Sequence, residues 1–140
     1  MNCPVCKEPM IVLELDEVEI DHCISCGGIW LDGGELELLL ETSTEKDKLL
    51  TSFQIDKDTK EKARDCPICL KRMDKVLGGI PDCRSSAGRD NKVLMDKCRQ
   101  NDGIWFDLGE LEQIIKMGSF DKGNKVLNLL KDMFKSRIKN

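Results

Sequence analysis

The residues best equipped for chemistry are the cysteines, eight in all. Cys3 and Cys6 stand three apart, as do Cys23 and Cys26, and sixteen residues separate the pairs. Two sulfurs three apart in a tight turn can reach one ion. Two such turns brought together supply a tetrahedron of four thiolates, the closed arrangement of a structural zinc site. Gly27-Gly28 suits a turn whose amides wrap close to sulfur. Local disulfides are the competing reading, and a weak one, because so short a loop constrains little of the unfolded chain. His22 adjoins Cys23, but with four sulfurs at hand it is expected at the strand end, on the surface.

The rear of the chain repeats the pattern incompletely. Cys66, Cys69 and Cys98 take the places of Cys3, Cys6 and Cys23, while Asn101 stands where Cys26 does. Three readings stay open here. Cys83 folds back to supply a fourth thiolate; Asn101, Asp102 or a water completes a weaker site; or the rear sulfurs hold no metal and act as small buried apolar groups. One Zn2+ is therefore expected in front and a second is open.

The elements that must position these sulfurs also repeat. Cys3-Pro4-Val5-Cys6 matches Cys66-Pro67-Ile68-Cys69, and Gly28-Ile29-Trp30-Leu31-Asp32 through Glu35-Leu36 matches Gly103-Ile104-Trp105-Phe106-Asp107 through Glu110-Leu111. The offset is 63 at the first block and 75 at the second, so the rear copy carries 12 extra residues. Between its cysteine pairs each copy reads as a β-hairpin, over 10–15 and 18–21 in front and near 73–77 and 92–96 behind. Asp32 with Glu35, and Asp107 with Glu110, have the spacing of a capping box that opens a helix. Leu36, Leu39 and Leu40 would share one face of the first helix, Leu111, Ile114 and Ile115 one face of the second, which Gly118 would stop. The fold class is thus small, metal-stabilised α+β. It comprises a zinc ribbon over 1–41, a charged helical linker over 42–65 and a second, degenerate ribbon over 66–118 with an inserted loop at 78–91. A C-terminal amphipathic helix over 119–140 completes it. In the linker, Leu49, Leu50 and Phe53 would line a short helix begun at Ser43 or Thr44. A ribbon of about 40 residues is near the lower limit for folding on its own core, and structural zinc, at roughly 10–16 kcal/mol in finger peptides, would replace what is missing.

Composition narrows the function classes. The 140 residues are 40% hydrophobic but only 4% aromatic, with no tyrosine. No run approaches the length of a membrane helix, and the first residues lack the layout of a secretory signal. A cytoplasmic, non-membrane protein is expected, and its cysteines then serve metal or redox chemistry. The net charge of −4 is uneven: residues 1–63 hold 15 acidic and 6 basic side chains, residues 64–140 hold 11 and 16. Lys71, Arg72, Lys75, Arg84, Arg89, Lys92, Lys97 and Arg99 would form a phosphate-contacting strip if most of them shared a hairpin face. Against that stand the modest rear charge and the acidic whole. Trp30 and Trp105 offer either a base-stacking platform or cover for the metal turns, and their equivalence in the two copies favours cover. The paired carboxylates could be read as an acid–base couple, but capping explains their spacing without chemistry.

Cys-Pro-x-Cys, a short hairpin, then Cys-x2-Cys-Gly-Gly-Ile-Trp-Leu-Asp-x-Gly-Glu-Leu resembles the TFIIB-type zinc-ribbon family, the transcription factor zinc-finger family. The front copy fits throughout; the rear departs at Asn101 and in its insertion. The resemblance implies a zinc ribbon with ligands at Cys3, Cys6, Cys23 and Cys26, and by position at Cys66, Cys69 and Cys98. It speaks to fold more than to function. The reading that follows is a non-enzymatic adaptor docking on a protein or nucleoprotein partner, with transcription as one setting. Leu127, Leu130, Phe134 and Ile138 of the terminal helix are available to anchor a partner or a second copy. A thiol-based redox or chaperone-like role is the alternative. A metalloenzyme with an open three-cysteine site ranks last, since no base accompanies the cysteines.

Overall fold

The computed structural model describes residues 1–15, 18–40, 50–79 and 92–117. Strands β1 (Ile11–Leu15), β2 (Val18–His22) and β3 (Ile29–Asp32) lead into helix α1 (Glu35–Leu40). After β4 (Gln54–Ile55) come β5 (Asp74–Gly78), β6 (Val93–Lys97) and β7 (Gly103–Phe106), then helix α2 (Glu110–Met117). The first front strand and both rear hairpin strands start one residue later than the periodicity suggested, and Gly78 belongs to β5 instead of the inserted loop.

The strands do not form two separate ribbons. They join in one antiparallel seven-stranded sheet of order β1-β2-β3-β7-β6-β5-β4. Its seam pairs β3 with β7 in the register Ile29↔Phe106, Trp30↔Trp105, Leu31↔Ile104 and Asp32↔Gly103. Under the repeat offset Trp105 is the counterpart of Trp30, so each tryptophan faces its own equivalent, as in a self-complementary two-fold contact. Two short last strands, each with an unpaired edge, satisfy their backbone groups on one another.

Strand alternation then sorts the side chains onto two faces. On one, Ile20, Ile29, Leu31, Met95 and Phe106 join Leu36 of α1 and Leu111 and Ile114 of α2 in a single core that crosses the seam. On the other, Trp30, Trp105 and Met73 pack with the cysteines. The core that 40 residues cannot build alone is therefore shared between the halves, and metal is not the sole substitute for it.

Leu50 and Thr51 are helical, as expected for the end of the linker helix, but beyond them the helical linker is corrected. Gln54 and Ile55 pair with Leu77 and Val76 as the sheet's last strand. Leu50 and Phe53 lean on the shared core. Covering that sheet edge satisfies both backbone and apolar demands. The part of that segment over 41–49, the inserted loop with Cys83, Gly118 and the helix expected over 119–140 lie outside the described residues. So do the side chains of Leu39, Leu40 and Ile115. Among the described residues no helix is long and apolar enough to cross a membrane.

Candidate metal centre

The local chain makes each knuckle. In front, the amide of Lys7 donates to the Cys3 carbonyl at 2.9 Å, and Lys7 adopts a left-handed φ of 65° that turns the chain back. Leu70 does the same in the rear, with φ 64° and a 2.8 Å bond to the Cys66 carbonyl. Amides of Val5 and Cys6 lie 3.3 Å from the Cys3 sulfur, where they would stabilise a thiolate.

The hairpin brings Cys3, Cys6, Cys23 and Cys26 together, with ligand atoms all within 4.8 Å of one another. Cys3 and Cys23 are buried, Cys6 and Cys26 half-buried. The Cys3 and Cys26 sulfurs are 3.7 Å apart. With zinc–sulfur bonds of about 2.3 Å, a tetrahedral site has sulfur–sulfur edges of about 3.8 Å. The spacing and the all-sulfur donor set fit Zn2+.

Electrostatics point the same way. Burial, reinforced by the neighbouring Cys23 and Cys3 groups, holds the Cys26 thiol well above its ordinary range. Burial also opposes ionisation of Cys23, but amide bonds from Cys26 and Ser25, with the adjoining thiols, outweigh it and bring that group below the usual thiol value. Without a cation the cluster thus sheds some protons and resists losing the rest; a dication at the centre removes the conflict.

In the rear, Cys66, Cys69, Cys98 and Asp102 come within 4.8 Å of one another. Burial pushes the Cys66 thiol up to about 12, with Cys69 and Cys98 adding to it. Asn101, aligned with Cys26, is exposed and stands outside this cluster. Asp102 was one of several oxygen donors the sequence offered, and only the turn geometry singles it out.

Two other expectations are corrected. His22 is 6% exposed, not a surface residue, and its Nδ1 lies 3.1 Å from the Gly28 carbonyl oxygen; an inward register of β2 places it there, and it braces the second knuckle without joining the tetrad. Lys75 is 8% exposed and leaves the proposed basic strip. Its Nζ binds Asp96 at 2.6 Å and Glu61 at 2.8 Å. Arg64 adds contacts of 2.6 Å to Asp107 and 3.3 Å to Asp96. Glu61, Asp96 and Asp107 do cluster closely enough to suggest a third ion site, but these two cations already ion-pair with all three.

The capping box works in one half only. Glu35 and Glu110 accept the Asp32 and Asp107 amides at 2.9 and 3.3 Å, as expected. The aspartates, instead of capping, accept the indole N–H of Trp30 and Trp105 at 2.8 and 3.0 Å. A buried indole must find an acceptor, and the residue two along the strand lies on the same face.

Glu110 carries a pH prediction. Burial first, then the Asp107 and Glu61 charges, push its pKa up to about 8, with Arg64 held in the same network by Asp107. A carboxyl raised above its ordinary value gives stability that is complete at low pH and is lost as pH climbs towards 8. Glu110→Gln keeps an acceptor for the Asp107 amide and removes the charge. Between pH 6 and 9, urea titration should show the wild type losing about 1–2 kcal/mol relative to that variant, after allowance for solvent screening. Parallel stability curves would refute it.

Among known proteins, the sequence model of one family, transcription factor zinc-finger, of the TFIIB zinc-ribbon type, matches residues 2–42. The match spans the first four cysteines, β1 to β3 and α1. No curated protein and no solved structure matches the chain.

Proposed function

We propose that this is a non-catalytic zinc protein built from two ribbon copies, the rear one altered, that works by docking on a protein partner. The observation that carries this is the pairing of a closed centre with an apolar tip. Four sulfur ligands leave no coordination position for a substrate or an activated water. Val5 and Ile24, at the tips of the two turns gripping that centre, are 41% and 59% exposed. Both turns hold one cluster, so their tips rise from the same end of the molecule. In the rear, Ile68, the counterpart of Val5, and Leu70, which stands where Lys7 does, are exposed aliphatics of the first turn. Such side chains fit an apolar groove on another protein better than a phosphate backbone, as does the acidic balance of the chain. Transcription machinery is one class of such partner, suggested by the description of the matched family alone. The cytoplasm, where free thiols persist, is the setting this reading requires.

The test is co-purification from the native cell with wild type and a Val5→Glu/Ile24→Glu variant, both checked for unchanged zinc content. A protein held by the wild type, released by the variant and re-bound when purified supports docking through these turns. Equal retention by both, or binding only to nucleic acid with a steep salt dependence, overturns it.

A further inference from the structure

We propose that the rear half holds a second zinc ion, with Asp102 replacing the missing fourth cysteine. The site would take Zn2+ on three thiolates and one carboxylate, and it needs nothing from the docking surface above.

The comparison between the two second knuckles carries this. Both close with the same outer bond, Cys23 amide to Gly28 carbonyl at 3.0 Å and Cys98 amide to Gly103 carbonyl at 3.1 Å. Inside, they differ by one residue. In front, the Gly27 amide reaches the Cys23 carbonyl at 2.9 Å and Gly27 is the left-handed residue, φ 81°. Behind, the Asn101 amide reaches the Cys98 carbonyl at 3.1 Å and Asn101 is left-handed, φ 63°. Asparagine tolerates that conformation better than other residues bearing a Cβ. The tighter turn frees the next position from needing glycine and swings its side chain into the cluster. Cys26-Gly27 and Asn101-Asp102 are thus two solutions to one problem, with the ligand first and the turn second, or the reverse.

The distances agree with a metal site. Asp102 Oδ2 lies 3.5 Å from the Cys98 sulfur and 3.7 Å from that of Cys66, and the Cys69 and Cys98 sulfurs are 3.7 Å apart. Tetrahedral zinc with bonds of about 2.3 Å to sulfur and about 2.0 Å to oxygen has mixed edges of about 3.5 Å. A carboxylate also preserves the fourth negative charge that Asn101 would forfeit. The ligand's backbone is preset as well, since the Gly33 amide across the seam donates to the Asp102 carbonyl at 2.9 Å.

Zinc per full-length chain, purified without added metal, decides the matter. Two ions are expected for wild type and for Cys83→Ser, one for Asp102→Ala, and two again for Asn101→Cys/Asp102→Gly, which copies the front knuckle. Cobalt loading adds an independent readout. The wild type should show one four-sulfur and one mixed sulfur–oxygen ligand-field spectrum, the double variant two of the four-sulfur type. One zinc in wild type, two in Asp102→Ala, or loss of an ion in Cys83→Ser would each overturn the assignment. The double variant guards against misreading a folding defect in Asp102→Ala.

Discussion

Stripping the front ion with a chelator, or replacing Cys23 by Ser, is expected to unfold the sheet on both sides of the seam together. Binding of structural zinc in finger peptides is coupled to folding by roughly 10–16 kcal/mol. The site here is wrapped into one apolar cluster with Trp30 and Trp105, both fully buried, and with the rear cysteines. Loss of the ion leaves four thiols packed at sulfur–sulfur spacing with nothing between them. Trp30 then loses its floor, and Trp105, its partner in the register, loses Trp30. Tryptophan fluorescence should shift to the red in one cooperative transition that coincides with loss of sheet signal. Two separated transitions would show that the halves are independent units, and a retained folded spectrum would remove the metal from the account of stability altogether.

The second large effect is expected at Gly103. A methyl group there would overlap the backbone oxygen of Leu31 and the indole of Trp30. Its counterpart Gly28 faces the Trp105 ring in the same way, so each tryptophan lies over the glycine of the opposite half. At Gly28 the nearest obstruction is the buried Trp105 ring; at Gly103 a buried indole is joined by backbone held in the seam, which has less freedom to shift. Overpacking a tight core costs about 1–3 kcal/mol and occasionally more. Gly103→Ala should fall at or above the top of that range and Gly28→Ala below it, read as urea midpoints at constant slope. Trp30→Ala leaves a cavity worth about 3–5 kcal/mol by itself. Combined with Gly103→Ala it should cost less than the two added, because the indole's share of the overlap is relieved while the Leu31 oxygen still blocks the methyl. Strict additivity would mean that the indole takes no part in excluding a side chain at Gly103.

Much of the centre was legible because its chemistry is local. Two cysteines three apart announce a knuckle whatever surrounds them, and the repeat announced that the chain does this again. The positions of the two hairpins and the starts of the helices followed from alternation and from Glu35 and Glu110, which do reach back to the amides expected of them. The aspartates of the same boxes were misread, since a capping preference takes no account of an indole two residues earlier. His22 and Lys75 were misplaced for a related reason. A histidine beside a knuckle and a lysine in a charged stretch look solvated until strand register turns them inward, where the Gly28 carbonyl and Asp96 meet them.

Composition and spacing were enough to specify a sulfur-bound ion, the two hairpins that carry the sulfurs and the turns that aim them, because those depend on neighbours a few residues apart. The joining of the halves depends on β3 meeting β7, partners 75 residues apart at the Trp30–Trp105 step, and a single copy of the motif contains no information about that pairing. The same holds for Asp102 against Asn101. The choice between adjacent side chains rests on which residue turns left-handed, and long-range packing against Gly33 holds that turn in place.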